Sequence, residues 1–251
     1  MKWILVVLLL AFLAYLVSEE IGGTKAPSLM SRKRLCDYYA AGSVFEDIPT
    51  ALKKGIRLIE LHVYSDERDQ PVVATQPQNN GQDFAEQNIS FEQCCIDIVN
   101  DAFPSKDPLI LSIVPHTQKT IVWDRVAEHL TSILRSKLIL GTEIQGIPID
   151  KLTDSVVIVS GGPIQGTKFE PLVNLSWSSS GVRRLSYNEA LHPRDPEELK
   201  RFNRNFISIV SPDPEFKKLM VNPNMPLAYG CQWNFFLKNS TGFVEKPEGL
   251  Q

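Results

Sequence analysis

The sequence predicts an irregular α/β barrel of the TIM type, and three observations carry this prediction. Strand-like apolar segments alternate with helix-like segments along most of the chain, which is typical of a parallel sheet. Several predicted strands are continuous aliphatic runs, as expected for strands that are buried on both faces. The chain has 251 residues, which is close to the usual size of one such barrel. With this many strand and helix units, a barrel is favoured over an open sheet.

The N-terminal segment, residues 1–18, is predicted to be an apolar helix that targets a membrane. Residues 3–17 form an unbroken apolar run, with Lys2 before it and two glutamates shortly after it. A signal peptide would be cleaved and give a secreted protein, whereas an uncleaved run would be a single-pass anchor. The absence of a good small-x-small cleavage site favours the anchor. The positive-inside rule then places the globular part outside or in a lumen, although the basic patch at 32–34 acts in the opposite sense.

The rest of the chain divides into three predicted parts. Residues 19–31 contain a Gly-Gly pair, a proline and several small residues, which is typical of a tether. Residues 32–240 contain all the predicted strands and are assigned to the barrel domain. Residues 241–251 are predicted to be a C-terminal tail.

The elements of the barrel domain follow from apolar spacing. Ser90 is the expected N-cap of one helix, because Gln93 stands three residues after it. The predicted helices span 45–54, 90–103 and 118–135, with a short helix near 215–220. The predicted strands span 56–63, 71–75, 108–114, 155–160, 206–211 and 232–237.

Charge and cysteine content exclude some classes of function. The formal net charge is −3, which argues against nucleic acid as a partner, because phosphate backbones select strongly basic surfaces. The four cysteines form no CxxC pair, so neither a zinc site nor a redox motif is predicted. Buried free thiols are the expected state of these cysteines.

Polar residues at the strand ends are the candidate site residues, because barrel active sites lie at the carboxyl ends of strands. Glu60 and His62 lie two residues apart on one predicted strand, so their side chains point to the same side. The favoured interpretation is that they hydrogen-bond to each other or to the backbone inside the barrel mouth. The candidate catalytic residues, if the protein is active, are Glu60, His62 and His116, and the candidate binding residues are Thr75, Gln76 and Gln232.

Four segments resemble, in the right order, the X domain of the phosphoinositide-specific phospholipase C family. Residues 59–62 resemble its acidic Glu-Leu-Asp strand, and residues 71–76 resemble its Pro-apolar-apolar-x-His-Gly strand. Residues 108–116 are similar to Pro-x-Ile-Leu-Ser-Leu-Glu-x-His, and residues 230–232 are the Gly-Cys-Gln that opens the last strand. The resemblance spans about residues 28–238 and implies the barrel of a phospholipase-C-like phosphodiesterase.

The family mechanism needs residues that this chain lacks. The resemblance implies attack by the inositol 2-hydroxyl on phosphorus, with two histidines as general acid and base and with calcium held by carboxylates and an asparagine. The early His-Asn pair falls near residues 30–32, where there is no histidine, and the second histidine position is Thr75. Two calcium-ligand positions are His62 and Val114, so only Glu60 remains. No metal and no cofactor are therefore expected, and calcium is expected only if activity is retained.

The sequence thus favours a membrane-tethered, catalytically inactive barrel that acts as a binding or structural component. Two alternatives stay open. One is an active phosphoric diester hydrolase on phosphoinositides that uses Glu60, His62 and His116 as acid and base. The other is a phosphoinositide-binding module without turnover. The expected partners are a membrane and either a phosphoinositide or another protein.

Overall fold

A computed structural model gives the structure of most of the barrel domain. The predicted anchor or signal segment, the predicted tether and the predicted helix near 215–220 lie outside the described residues. In the part of the chain that is described, no helix has the length and apolar character needed to cross a membrane. The structure describes residues 33–78, 84–141, 144–179, 181–212, 222, 224–235 and 242–251.

Within these residues, eight parallel strands form a nearly closed barrel, which confirms the predicted fold class. The strands in chain order are β1 (Tyr38–Val44), β2 (Leu58–Ser65), β3 (Pro71–Ala74), β4 (Asn88–Ser90), β5 (Leu109–Pro115), β6 (Val156–Ser160), β7 (Leu175–Ser176), β8 (Val182–Ser186), β9 (Ile207–Ser211), β10 (Trp233–Asn234) and β11 (Phe243–Glu245). The order around the barrel is β7-β6-β5-β2-β1-β10-β9-β8. β3 pairs antiparallel with β2 and β4 with β3, while β11 pairs antiparallel with β1.

Two apolar layers share the barrel strands. On β5, Leu109, Leu111 and Ile113 pack outward against the helices, whereas Ile110 packs inward with Leu58 of β2. All five side chains are fully buried, and each contributes about 1.5–3 kcal/mol of burial free energy. Because side chains alternate along a strand, this register also fixes which polar residues of β2 and β5 face the barrel interior.

The helices cover the outside of the barrel. They are α1 (Ile48–Lys53), α2 (Phe91–Asp101), α3 (Thr120–His129), α4 (Tyr187–Leu191), α5 (Pro196–Asn203) and α6 (Asn224–Ala228). The Ser90 side chain accepts a hydrogen bond from the Gln93 backbone N–H, so the predicted N-cap of α2 is confirmed. α1 begins three residues later than predicted, because Asp47 is its N-cap and Phe45 has a φ of 60°. α3 ends at His129 and continues as a π-helical turn through Leu134.

The last described residues belong to the barrel, which corrects the prediction of a tail over 241–251. β2 pairs with β1 only from Gly42 onward, so the earlier part of that β1 edge is available for β11. Lys246 follows β11 and is 2% exposed, and its Nζ donates a hydrogen bond to the Asn203 carbonyl at 2.7 Å. The segment therefore packs as part of the fold.

Candidate functional site

The interior face of β2 and β5 carries the polar side chains of the barrel mouth. Leu58 of β2 and Ile110 of β5 point inward, so Glu60, His62 and Ser112 point inward as well. Arg184 reaches the same place from β8, on the other side of the barrel. These four side chains and His116, whose ring nitrogen contacts His62, form the candidate site. The structure brings Glu60 and His62 together as the sequence predicts.

Glu60 is the centre of this site. Its carboxylate is fully buried and accepts hydrogen bonds from both Nη atoms of Arg184, with Nη2 at 2.9 Å from Oε1. His62 Nε2 lies 3.0 Å from Oε1, and Ser112 Oγ donates to Oε2 at 2.9 Å. Each carboxylate oxygen therefore has two hydrogen-bond partners, which is about the full capacity of the group.

The charge of Glu60 is fixed by these partners. Burial acts to raise the pKa of Glu60, but the Arg184 guanidinium and the hydrogen bonds from Arg184 and His62 outweigh it and lower the pKa to about 2. Glu60 is therefore ionised at neutral pH, and Arg184 compensates its charge. Among the described residues, no group of three or more His, Cys, Asp or Glu side chains could hold a metal ion.

The two imidazoles of the site form a hydrogen-bonded chain with Glu60. His62 Nδ1 lies 2.8 Å from His116 Nε2, while His62 Nε2 faces the carboxylate. A carboxylate can only accept, so His62 carries a proton on Nε2; when His62 is neutral, its Nδ1 accepts from His116 Nε2–H. Burial, followed by the nearby His62 and Arg184, lowers the pKa of His116 to about 4, so His116 is neutral at pH 7.

Aromatic rings hold these groups in place. Phe45 lies 4.9 Å from the His62 ring, and Tyr64 stacks on His116 at 4.3 Å with an interplanar angle of 6°. The Arg184 guanidinium lies 5.3 Å from the Trp177 ring, a cation–π arrangement. Phe45 has a φ of 60°, which is strained for a bulky residue, so the surrounding packing must hold it there.

The remaining predicted residues do not join the site. Thr75 is half-buried and lines a cavity of about 190 Å³ that Glu60 and Phe45 also line, whereas Gln76 is exposed.

His116 borders a second, open cleft of about 900 Å³, together with Lys119.

Gln232, which is predicted to be a binding residue, lies away from the candidate site and makes hydrogen bonds within the fold. It is fully buried at the amino end of β10, opposite the carboxyl ends where the site lies. Its Nε2 donates to the backbone carbonyls of Cys36, Asn203 and Phe206, and its Oε1 accepts from the Ser208 backbone N–H. These bonds tie together the segments that precede β1, β9 and β10.

The expected position of the early His-Asn pair, near residues 30–32, lies outside the described residues. In the structure, the first barrel strand ends at Val44 and is followed by Phe45 and Glu46. The carboxyl end of β1 therefore presents a phenyl ring to His62.

Arg184 and Ser112 are site residues that the sequence did not predict, and Arg184 is the charged one. The segment Val182–Ser186 contains two adjacent arginines, and no strand was predicted there. Alternation along β8 sends Arg183 outward to Glu198 and Arg184 inward to Glu60. The available signal was the apolar residues on either side of the arginine pair, which are typical of a short strand.

The N-terminal half of the barrel is similar to a known protein family. Residues 35–154 match the family described as phosphatidylinositol-specific phospholipase C, X domain. This part of the chain is therefore similar to the phospholipase C X domain. The resemblance that the four sequence motifs indicate is thereby confirmed.

Solved structures of phospholipases C share the fold. PLC21 of S. officinalis is 16% identical with a TM-score of 0.70, and PLC21 of L. pealei is 15% identical with the same TM-score. Each match covers 87% of this chain, but this chain spans only 38% of each PLC21. The calcium-dependent phosphoinositol-specific phospholipase C of Pseudomonas sp. is 12% identical with a TM-score of 0.51, and 89% of this chain and 97% of that chain are covered. No curated protein matches significantly.

Proposed function

We propose that this chain is a membrane-tethered, catalytically inactive X-domain barrel that serves as a binding component at phosphoinositide-containing membranes. The observation that carries the proposal is the closure of the Glu60 carboxylate by Arg184, His62 and Ser112. Every lone pair of the one acidic residue that matches the family pattern is already in use, so the site is saturated by the protein itself.

Acid–base catalysis is poorly supported by the two imidazoles. Both ring nitrogens of His62 are engaged, one by Glu60 and one by His116. An efficient general base has a pKa near the working pH, whereas the pKa of His116 is about 4. Each lost proton-transfer group costs about 10²–10⁴-fold in rate, which supports a protein without useful turnover.

Calcium chemistry is also poorly supported. Calcium prefers six to eight oxygen ligands, with several carboxylates among them. Here the buried carboxylate pairs with a guanidinium, and a second cation at the same place would be repelled by Arg184. Arg184 therefore supplies the positive charge that a metal would bring.

The membrane part of the proposal rests on the sequence and the family. The unbroken apolar run of residues 3–17 supports attachment to a bilayer. The description of the matching family names phosphatidylinositol, which supports an inositol lipid as the class of ligand.

The experiment uses the same full-length protein in two assays. Hydrolysis is measured on phosphatidylinositol vesicles with and without calcium. Binding is measured as retention of the detergent-solubilised protein on beads that carry phosphatidylinositol or phosphatidylcholine, because the apolar run of residues 3–17 would attach the full chain to any vesicle. We expect no release of inositol phosphate with or without calcium, and more retention on the phosphatidylinositol beads. Inositol phosphate release by the wild type that disappears in Glu60→Gln would overturn the inactive assignment. Equal retention on both kinds of bead would overturn the lipid ligand but not the inactivity.

A second candidate function is an active, metal-independent phosphoric diester hydrolase. The specific observation in its favour is the continuous hydrogen-bond chain from Glu60 through His62 to His116. His116, at the end of this chain, lines an open cleft. It predicts that His62→Gln abolishes turnover in a folded protein. Arg183→Ala is the matched control, because Arg183 lies on the same strand as Arg184 but faces outward.

A further inference from the structure

The sequence contains three acceptor sequons for N-linked glycans. In the structure, the asparagine of one is exposed and that of another is buried. Such a sequon carries a glycan only when its asparagine is accessible and its domain is secreted or lumenal. The asparagine of the third sequon lies outside the described residues. The sequons are Asn88-Ile89-Ser90, Asn174-Leu175-Ser176 and Asn239-Ser240-Thr241.

Asn88 is accessible. It opens β4, a short strand whose three residues are all exposed and which pairs only with β3 in the described part of the chain. Its side-chain Nδ2 makes one local hydrogen bond, to the Ala85 carbonyl at 2.7 Å. A sugar on Nδ2 would therefore displace at most one local contact and would project from an edge strand into solvent.

Asn174 is the opposite case. It is 2% exposed, and its Oδ1 accepts from the Ile158 backbone N–H at 2.8 Å. Its Nδ2 donates to the carbonyls of Ile139 and Gly141 at 2.8 and 2.9 Å. A glycan on Nδ2 would break these bonds between β6, β7 and the segment before them, so a folded chain cannot carry one there.

We propose that Asn88 is an N-glycosylation site and that Asn174 is not. The proposal rests on the membrane tether of the proposed function and on the lumenal or outer orientation that the positive-inside rule predicts for the barrel. A lipid-linked oligosaccharide is the donor. The Asn88 Nδ2 forms a bond to the anomeric carbon of the first N-acetylglucosamine, the bond from that carbon to the lipid pyrophosphate breaks, and Nδ2 loses one proton.

The position of Asn88 gives the modification a consequence for the site. Asn88 lines the same open cleft of about 900 Å³ as His116 and Lys119. A glycan at Asn88 begins at the rim of this cleft. It therefore hinders large partners from approaching the side of the mouth where His116 lies, while small ions still pass.

The test is a mobility shift on treatment with N-glycanase, using the full chain expressed in mammalian cells. All variants carry Asn239→Gln, so that the third sequon does not contribute. Ser90→Thr keeps both the sequon and a capping hydroxyl, whereas Ser90→Asn keeps a good N-cap residue and removes the sequon. Ser176→Ala removes the Asn174 sequon without touching the buried asparagine.

We expect the shift in the parent, in Ser90→Thr and in Ser176→Ala, and its loss in Asn88→Gln and Ser90→Asn. A shift that persists in Asn88→Gln, or that disappears in Ser176→Ala, would overturn the assignment. Protease protection of microsomes is measured in parallel. A protected barrel without a glycan overturns the Asn88 site alone, whereas a digested barrel overturns the lumenal orientation and the site with it; neither result bears on hydrolysis.

Discussion

Arg184 and Glu60 are separated by 124 residues in the chain and meet in a two-pronged ion pair inside the barrel mouth. The glutamate side chain is 0% exposed and the arginine side chain is 20% exposed. A buried carboxylate is stable only when its charge is paired and its oxygens are hydrogen-bonded. The same ion pair therefore stabilises the barrel and occupies the hydrogen-bonding capacity of the Glu60 carboxylate.

Replacement of Arg184 by alanine is expected to destabilise the fold by about 3–5 kcal/mol, because it leaves a buried carboxylate without its main partner. The measurement is urea unfolding at pH 7. Arg183→Ala is the control, since Arg183 forms a similar two-bond pair with Glu198 in which both side chains are more than a third exposed. The control is expected to cost about 1 kcal/mol. Equal costs for the two variants would show that the Glu60 pair is not buried in solution.

Acid is expected to destabilise the protein through Glu60. The folded protein keeps Glu60 ionised to a pKa of about 2, whereas the ordinary pKa is 4.5. The unfolded chain therefore binds the extra proton first, and the stabilisation that is present above pH 4.5 is lost as the pH falls toward 2. Urea unfolding across this range should give a loss on the order of 3 kcal/mol that is absent in Glu60→Gln. The same slope in the variant would contradict the assignment.

His116 is expected to add a second acid-sensitive range at higher pH. Its pKa of about 4 lies below the ordinary 6.5, so the unfolded chain takes up this proton first. Stability therefore falls as the pH decreases from 6.5 to 4. In His116→Asn, which keeps a donor for His62, this part of the profile should flatten. A profile that is unchanged between pH 4 and 6.5 would mean that His116 is solvated.

Lys246 is expected to add a third pH-dependent range, at alkaline pH. Burial lowers the pKa of Lys246 from 10.5 to about 8, so stability attributable to this group rises between pH 8 and 10.5. Burial also raises the pKa of Cys36 to about 11 and of Cys231 to about 12, and these thiols act in the opposite sense. The measured quantity is therefore the difference in unfolding free energy between the wild type and Lys246→Met. A difference that does not change over this range would show that the C-terminal segment is detached.

Close packing of Trp177 gives a prediction that does not involve charge. A Cβ at Gly161 would overlap the Trp177 indole, which lies beside Arg184, whereas a Cβ at Gly146 would contact nothing within 4 Å. Gly161→Ala is expected to cost about 1–3 kcal/mol and to change the tryptophan fluorescence. Gly146→Ala is the matched control and should change neither. Similar effects of the two substitutions would argue against this placement of Trp177.

The barrel was predictable from the sequence where strands are continuous aliphatic runs. β5 and β6 have this pattern, because parallel strands buried on both faces need apolar residues at every position. The N-cap of α2 was predictable because Ser90 carries its own local signal. β1 was missed because its small residues and tyrosines, Tyr38–Val44, lack a strong apolar pattern.

The candidate site was only partly predictable. Two-residue spacing places Glu60 and His62 on one face, but it cannot show which distant residue compensates the charge. Arg184 comes from a strand that holds two arginines, and the pairing exists only because the barrel brings β8 opposite β2. Gln232 was predicted to bind a ligand, although its place at the start of a strand puts it at the end of the barrel away from the site.

The most direct test of the central claim is the release of inositol phosphate from phosphatidylinositol vesicles by the full-length protein. Wild type, Glu60→Gln and His62→Gln are compared in the presence of calcium and in its absence. The closed Glu60–Arg184 pair predicts that all three remain at the level of the heat-denatured protein under both conditions. Release by the wild type that is lost in either variant would contradict the inactive site.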